Sequence, residues 1–75
     1  MYCFRDNKAN DFSPPMCHVN ESTAKRDFDM RIHSDRSMGF SPNDYDLYYV
    51  GEFDTETGSV DSVLPEFVCN GAEFA

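Results

Sequence analysis

The sequence predicts an α+β fold, in which one amphipathic helix packs on a small, mainly antiparallel sheet in the order β-β-α-β-β. Aromatic and polar residues alternate along residues 44–53, which is the pattern of a strand with one buried face. An acidic turn ending in Gly58 follows, as expected after the first arm of a hairpin. Residues 20–33 instead repeat apolar side chains every four positions, which indicates a helix.

Two short apolar segments, residues 2–5 and 16–19, predict an N-terminal hairpin with a long polar loop. Pro14 and Pro15 come just before the second segment. Proline cannot donate a hydrogen bond to a neighbouring strand, so we expect this part of the hairpin at an edge of the sheet.

The helix is predicted to begin after Asn20, a residue type that favours the N-cap position. Ala24, Phe28 and Ile32 form a narrow apolar stripe, so the helix should cover one face of the sheet and expose its other side. Asp27 lies four positions before Arg31, as Lys25 does before Asp29, and both spacings allow ion pairs.

In the long strand, Tyr45, Leu47 and Tyr49 should face one side and Tyr48 the other. Residues 59–64 are expected to return antiparallel, and Pro65 should separate them from a last short extended segment at 66–69. A chain of 75 residues predicts a single domain, 1–75, and residues 70–75 are expected to form a flexible tail.

The charge is distributed very unevenly. All six Lys and Arg residues lie in the first 36 positions together with six acids, whereas positions 37–75 contain eight acids and no base. The net charge of −8 therefore belongs to the second half, which disfavours nonspecific binding to duplex DNA. The acids either keep an aromatic-rich protein soluble or form a surface for a basic partner, as in a nucleic-acid mimic.

Three cysteines, an odd number without CxxC spacing, do not suggest a disulfide framework. The N-terminal residues contain no long apolar run, so we expect a cytoplasmic protein without membrane contact. Zinc-ligand types occur without the spacing of a zinc finger, and we expect no metal and no cofactor; the residues concerned are Cys3, Cys17, His18, His33 and Cys69.

A surface for single-stranded nucleic acid needs aromatic rings that stack on bases and cations that contact phosphates. One candidate cluster consists of Tyr2, Phe4, Arg5 and Lys8. A second places Tyr48 on the outer face of the long strand, with Arg26 and Arg31 of the helix beside it. In the alternative interpretation, Phe4 and Tyr49 belong to the core and both helix arginines pair with nearby acids.

The chain has no Gly-rich nucleophile turn and no phosphate-binding loop. Serine, cysteine and histidine occur, but in no spacing typical of a catalytic set. We therefore expect that the protein is not an enzyme.

The chain resembles the small nonstructural protein of gokushovirus-type phages, which are single-stranded DNA phages of the Microviridae. The resemblance extends along nearly the whole sequence in short motifs: RDNKA at 5–9, Phe12, Pro14-Pro15, Asn20-Glu21, Ala24, Arg26, Phe28, Asp44-Tyr45, Leu47-Tyr48, Val50-Gly51, Phe53-Asp54, Thr57-Gly58, Pro65-Glu66 and Val68-Cys69.

This resemblance implies an accessory protein of the host cytoplasm that is absent from the virion and is associated with genome synthesis or packaging. It offers no catalytic residues. The expected partner is a viral or host replication or packaging protein, or single-stranded DNA bound weakly. Two alternatives stay open: a host-directed inhibitor whose acidic half mimics nucleic acid, and a dimeric scaffold, since eleven Phe and Tyr residues favour a homodimer that covers exposed rings.

Overall fold

A computed structural model describes residues 1–74 of the chain. Its elements are strands β1 (Tyr2–Asp6) and β2 (Asp11–Phe12), helix α1 (Glu21–Ser37), and strands β3 (Tyr45–Phe53) and β4 (Val60–Asn70). Two short 3-10 helices, Pro42–Asp44 and Gly71–Phe74, precede β3 and follow β4. Within this described part, the helix is too short and too polar to cross a membrane.

The four strands form one sheet in the order β2-β1-β3-β4, and all neighbouring strands are antiparallel. With α1 on one face, this arrangement confirms the predicted α+β fold and its β-β-α-β-β order. The two edges differ greatly in length, because β2 has two residues and β4 has eleven.

The first hairpin is tighter than the sequence suggested. The predicted second strand at 16–19 is wrong: β2 pairs with the end of β1, and Met16 forms only an isolated bridge with Tyr2. The Asp6 side chain explains the early turn, because its Oδ1 accepts hydrogen bonds from the backbone N–H groups of Lys8 and Ala9 at 3.0 and 3.1 Å. The chain reverses there before it reaches the two prolines.

The helix begins where the sequence predicts and ends at Ser37, four residues beyond the predicted end at His33. Asn20 caps it, since its Oδ1 accepts a hydrogen bond from the backbone N–H of Thr23 at 2.9 Å. The predicted apolar stripe is confirmed as buried, and it consists of Ala24, Phe28 and Ile32. No Pro or Gly interrupts the chain until Gly39, which has a φ of +91° and follows the end of the helix.

The ion pairs on the helix differ from those predicted. Lys25 pairs with Glu21 at 3.7 Å, not with Asp29, and Arg31 pairs with Asp35 at 3.1 Å, not with Asp27. The two aspartates lie instead beside histidines, since Asp27 contacts His18 and Asp29 contacts His33.

A single cluster of buried side chains joins α1 to the sheet: Tyr2, Phe4, Ala24, Phe28, Ile32, Leu47 and Cys69. The rings of Phe4 and Phe28 lie 5.3 Å apart between centroids. The helix therefore packs on the face of the sheet that Tyr2, Phe4 and Leu47 share.

The predicted return strand and the last extended segment are one continuous strand, β4, which passes through Pro65. Pairing continues because the register between β3 and β4 shifts near Pro65, between Tyr49 and Gly51. Irregular pairing on an edge strand is where proline is tolerated.

A short 3-10 helix takes the place of the predicted tail. Gly71 is buried, and a Cβ there would lie 2.7 Å from Cδ1 of Ile32 and would overlap the carbonyl oxygen of Pro42. Phe74 then packs on Phe28 at 5.9 Å, so the chain end adds an aromatic ring to the core. Ala75, the last residue of that predicted tail, lies outside the described residues.

Candidate nucleic-acid interface on the open face of the sheet

The face of the sheet opposite α1 carries three aromatic rings in contact, and we call Phe12, Tyr48 and Phe67 the aromatic row. Neighbouring centroids lie 5.4 Å apart for Phe12 and Tyr48 and 6.0 Å for Tyr48 and Phe67, each pair in edge-to-face geometry. Phe12 is 40% exposed and Phe67 is 59% exposed. The row is therefore open to solvent.

Strand pairing explains how the row forms. Phe12 of β2 is paired with Arg5 of β1, and Tyr48 of β3 is paired with Phe67 of β4. The pairing shifts between Leu47 and Tyr48, so that β4 contains one additional residue, Val68, at this position. This bulge brings Phe67 directly opposite Tyr48 while Cys69 remains opposite Leu47 in the core.

Arg5 supplies a positive charge at one end of the aromatic row. Its guanidinium carbon lies 4.7 Å from the centroid of the Phe12 ring, within cation–π range. Its Nε and Nη2 donate hydrogen bonds to the side-chain oxygens of Asn7 at 3.0 Å and Asn10 at 3.2 Å. Both acceptors are neutral, and Arg5 forms no ion pair with any carboxylate in residues 1–74, although Asp46 is its cross-strand neighbour and is linked to it through Asn7.

Asp46 lies on the same face but is withdrawn from the surface. It is only 8% exposed, and its two oxygens accept hydrogen bonds from the side-chain amides of Asn7 and Asn70, each at 2.7 Å. Mimicry of nucleic acid requires the acids of residues 44–61 to share one exposed face, and Asp46 does not belong to such a face because it is internal.

The first predicted cluster is divided by the sheet. Tyr2 and Phe4 are buried under the helix, so neither ring can stack on a base. Arg5 points to the open face, because successive side chains of a strand alternate. Lys8 is exposed in the turn between β1 and β2.

Of the second predicted cluster, which is Tyr48 with Arg26 and Arg31, only the aromatic residue lies on the open face. Tyr48 lies on the open face, whereas Arg26 and Arg31 belong to the helix on the other face and do not flank it. Arg31 pairs with Asp35, and its guanidinium lies 5.7 Å from the Phe4 ring. Arg26 is exposed and forms no ion pair within the described residues.

Sequence reasoning missed two members of the row, Phe12 and Phe67. Phe12 falls in the predicted loop between residues 5 and 16, and the two residues of β2 are too few to show an alternation. Phe67 falls in the predicted segment 66–69, which Pro65 separates from residues 59–64, and its position depends on a bulge that no local pattern predicts.

The cysteines and histidines are dispersed. Cys3 and Cys69 are both buried but in different strands, and Cys17 is exposed. Residues 1–74 contain no group of three or more His, Cys, Asp or Glu side chains placed to hold a metal ion.

A cleft of about 420 Å³ lies away from the open face, between the start of α1 and the β3–β4 hairpin, and Tyr2, His18, Tyr49 and Glu52 line it. Burial, then Glu21 and Glu52, raise the pKa of Tyr2, and burial and Glu52 raise the pKa of Tyr49. Both phenols therefore stay protonated at neutral pH. His18 Nε2 is 3.2 Å from Oδ2 of Asp27, without hydrogen-bond geometry.

A model of the Phage ORF5 protein family matches residues 1–74 of the chain. No curated protein and no solved structure matches it. The match extends over every element described above, from β1 to the C-terminal 3-10 helix. This chain therefore belongs to the Phage ORF5 protein family.

Proposed function

We propose that this chain is a non-enzymatic, nonstructural accessory protein of a gokushovirus-type phage, and that it binds single-stranded DNA weakly during genome synthesis or packaging. Membership of a phage protein family supports the viral setting. The resemblance of its short motifs to the small nonstructural protein of the Microviridae supports the narrower group, with action in the host cytoplasm and absence from the virion.

The aromatic row with Arg5 at its end is the observation that carries this proposal. Every base has a π-face, so exposed rings bind single strands without reading their sequence. The spacing of 5.4 and 6.0 Å between ring centroids provides neighbouring contacts along one strand of nucleic acid. Arg5, with no carboxylate partner, can contact a phosphate next to a stacked base.

The charge of the protein determines how such binding should respond to salt. With a net charge of −8, long-range attraction to phosphate is absent, and stacking must supply most of the affinity. Arg5 and Lys8 together can neutralise two phosphates, which corresponds to a slope of about −1.4 in log K against log salt for a single strand. Weak binding with a shallow salt dependence is the expected signature.

Fluorescence anisotropy with labelled oligothymidine, measured at two salt concentrations, tests whether the aromatic row binds single-stranded DNA. Phe67→Ala should weaken binding by about 5-fold to 150-fold, because one base–aromatic stack is worth about 1–3 kcal/mol. Phe40→Ala is the matched control, since Phe40 is also half exposed but lies beside Tyr45, on the helix side of the sheet. Arg5→Gln should weaken binding and flatten the salt dependence.

Two results would contradict DNA binding at this surface. One is the absence of any anisotropy change up to about 100 µM protein, the weak end of nonspecific binding. The other is an equal effect of Phe67→Ala and Phe40→Ala, since a stacking surface must distinguish the two faces of the sheet. Circular dichroism of each variant verifies that the fold is retained.

Contact with a viral or host replication or packaging protein is the second candidate function. The long exposed edge strand β4 favours it, because such an edge offers backbone groups to another chain. Mimicry of nucleic acid is less well supported, since Asp46 is internal and Glu52 lines the helix-side cleft together with Tyr49.

A further inference from the structure

Strand β4 lies at an edge of the sheet and is the longest strand of the protein. Within residues 1–74, the backbone of residues 60–69 forms no hydrogen bond to any element other than β3. The outer N–H and C=O groups of β4 are therefore free to pair with another extended chain.

Two usual protections of an edge strand, lysine side chains and a very short length, do not occur in the segment before Pro65, where the irregular pairing at Val63 and Leu64 is the protection present. Soluble proteins often place lysines on such an edge or keep it very short, as β2 does at the opposite side of this sheet. Val60, Val63 and Leu64 are instead exposed, Leu64 by 87%. This segment, residues 60–64, offers apolar side chains as well as free backbone groups, and we call it the β4 edge.

Charge around the β4 edge indicates the kind of chain that fits there. Asp54, Glu56, Asp61 and Glu66 lie in the turn before β4 or on β4 itself, and no Lys or Arg occurs between positions 37 and 75. A basic segment would find complementary charge at this edge, whereas an acidic one would be repelled.

A second copy of this chain is a poor occupant of the same edge. Two-fold antiparallel pairing centred between Val63 and Leu64 would place Asp61 of one copy opposite Glu66 of the other. Like charges directly opposite each other destabilise a strand pair, and each copy carries a net charge of −8.

We propose that the β4 edge binds an extended basic segment of another protein, in which Lys or Arg alternates with β-branched residues, as a fifth strand of the sheet. Backbone hydrogen bonds to β4 hold the segment, Val63 and Leu64 contact its apolar residues, and the acids contact its cations. This surface is separate from Arg5 and Phe12 on the open face, so the inference does not depend on DNA binding.

The probe is a fluorescein-labelled peptide of about eight residues, a usual strand length, in which Lys alternates with Val. It is titrated with the full chain and followed by fluorescence anisotropy. We expect saturable binding that weakens with salt. A peptide with Glu in place of Lys should not bind. A Lys peptide with two valines replaced by proline should bind about tenfold more weakly or worse, because proline cannot donate to the strand ladder.

A matched pair of variants locates the site. Leu64→Lys adds a charge at the β4 edge, and Val19→Lys adds the same charge at a residue that is 94% exposed and lies before the helix. Leu64→Lys should weaken peptide binding about tenfold relative to Val19→Lys. Circular dichroism verifies that both variants fold.

Three results would overturn the inference. The proline peptide could bind as tightly as its parent, which would mean that charge alone attracts it. The two Lys variants could bind the peptide equally. Light scattering could show a dimer that Leu64→Lys alone converts to monomer, which would mean that a second copy occupies the edge.

Discussion

A step of one residue along β3 separates the protein core from the candidate interface. Leu47 is fully buried against the helix, and its neighbour Tyr48 lies on the open face between Phe12 and Phe67. The same alternation places Phe4 in the core and Arg5 over the Phe12 ring. Because side chains of a strand alternate, one β-strand can serve stability and contact at once.

The three thiols differ in environment as much as the aromatic rings do. Burial raises the pKa of Cys69 to about 11, with Glu73 as a further cause, and burial also raises the pKa of Cys3. Cys17 is exposed. Because the thiolate is the reactive form and a reagent must reach the sulfur, the buried Cys3 and Cys69 should react far more slowly than the exposed Cys17.

The first residue-scale prediction concerns alkylation by iodoacetamide at about pH 8, followed by mass spectrometry. One thiol, Cys17, should be modified rapidly, and Cys3 and Cys69 only after unfolding. Cys17→Ser should remove the rapid phase and leave the slow one. Rapid modification of two or three thiols in the folded protein would contradict the buried positions of Cys3 and Cys69.

The raised pKa of Cys69 also predicts how the free energy of unfolding changes at high pH. Between pH 9.0 and about 11, the unfolded chain has lost the Cys69 proton and the folded chain keeps it. The unfolded state then binds fewer protons, so the free energy of unfolding should fall as pH rises through this interval. Denaturation midpoints should fall less in Cys69→Ala than in the parent; an equal fall would contradict this assignment.

At the scale of elements, the β3–β4 hairpin depends on a close approach of its two strands at Gly51. Its φ is +141°, and an added Cβ would lie 3.0 Å from the Cα of Ser62 and would overlap the carbonyl oxygen of Asp61. The Gly51 carbonyl also accepts a hydrogen bond from the N-terminal ammonium group of Met1. Glycine therefore allows β4 to approach β3 where the register shifts.

Gly51→Ala should lower the free energy of unfolding by about 2–4 kcal/mol, since it combines a strained backbone with an overlap that only a backbone shift relieves. Gly58→Ala is the control: its φ of +75° is also positive, but nothing lies within 4 Å of the added Cβ. Gly58→Ala should lower the free energy of unfolding by about 1 kcal/mol. Urea denaturation measures both, and equal losses would show that the close approach at Gly51 has no effect.

At the scale of the whole molecule, shape and charge act together. The described residues extend 41 × 22 × 17 Å, and the acidic second half of the sequence includes all of β3 and β4. The exposed aromatic row favours self-association, while a net charge of −8 on each copy opposes it. The predicted homodimer should therefore form more readily as salt screens the repulsion.

Size-exclusion chromatography with light scattering tests this prediction. Dimerisation through the open face should give a mass of twice 8.6 kDa at high concentration and high salt. Phe67→Ala should reduce the dimer fraction, and Leu64→Lys should leave it unchanged. Salt should then strengthen self-association and weaken DNA binding, which separates the two processes. A mass of 8.6 kDa under all these conditions would refute the homodimer.

Local patterns predicted the helix and the longest part of the sheet. Ala24, Phe28 and Ile32 identified the buried side of α1, and Asn20 marked its first turn, because these signals depend on neighbours within a few residues. The alternation through Tyr45, Leu47 and Tyr49 likewise predicted the buried face of β3.

Half of the candidate site could not be predicted in this way. Arg5 and Tyr48 were selected from their residue types, but Phe12 joins them through two residues of β2 and Phe67 joins them across a bulge. The proposed partners of Tyr48, Arg26 and Arg31, lie on the wrong side of the sheet. The alternation in β3 identified its buried face, but no local pattern states which side chains of other elements lie beside Tyr48 on the opposite face.

The sequence by itself determined the order of the elements, the helix with its cap and buried stripe, and the concentration of negative charge in the second half. Those features depend on local backbone preferences and on composition. Only the tertiary structure decided that β4 lies at the edge, that Phe12, Tyr48 and Phe67 meet, and that Asp46 is internal. Strand order and the register shifts between β3 and β4 arise from contacts between residues far apart in the chain, and no local pattern in the sequence signals these pairings.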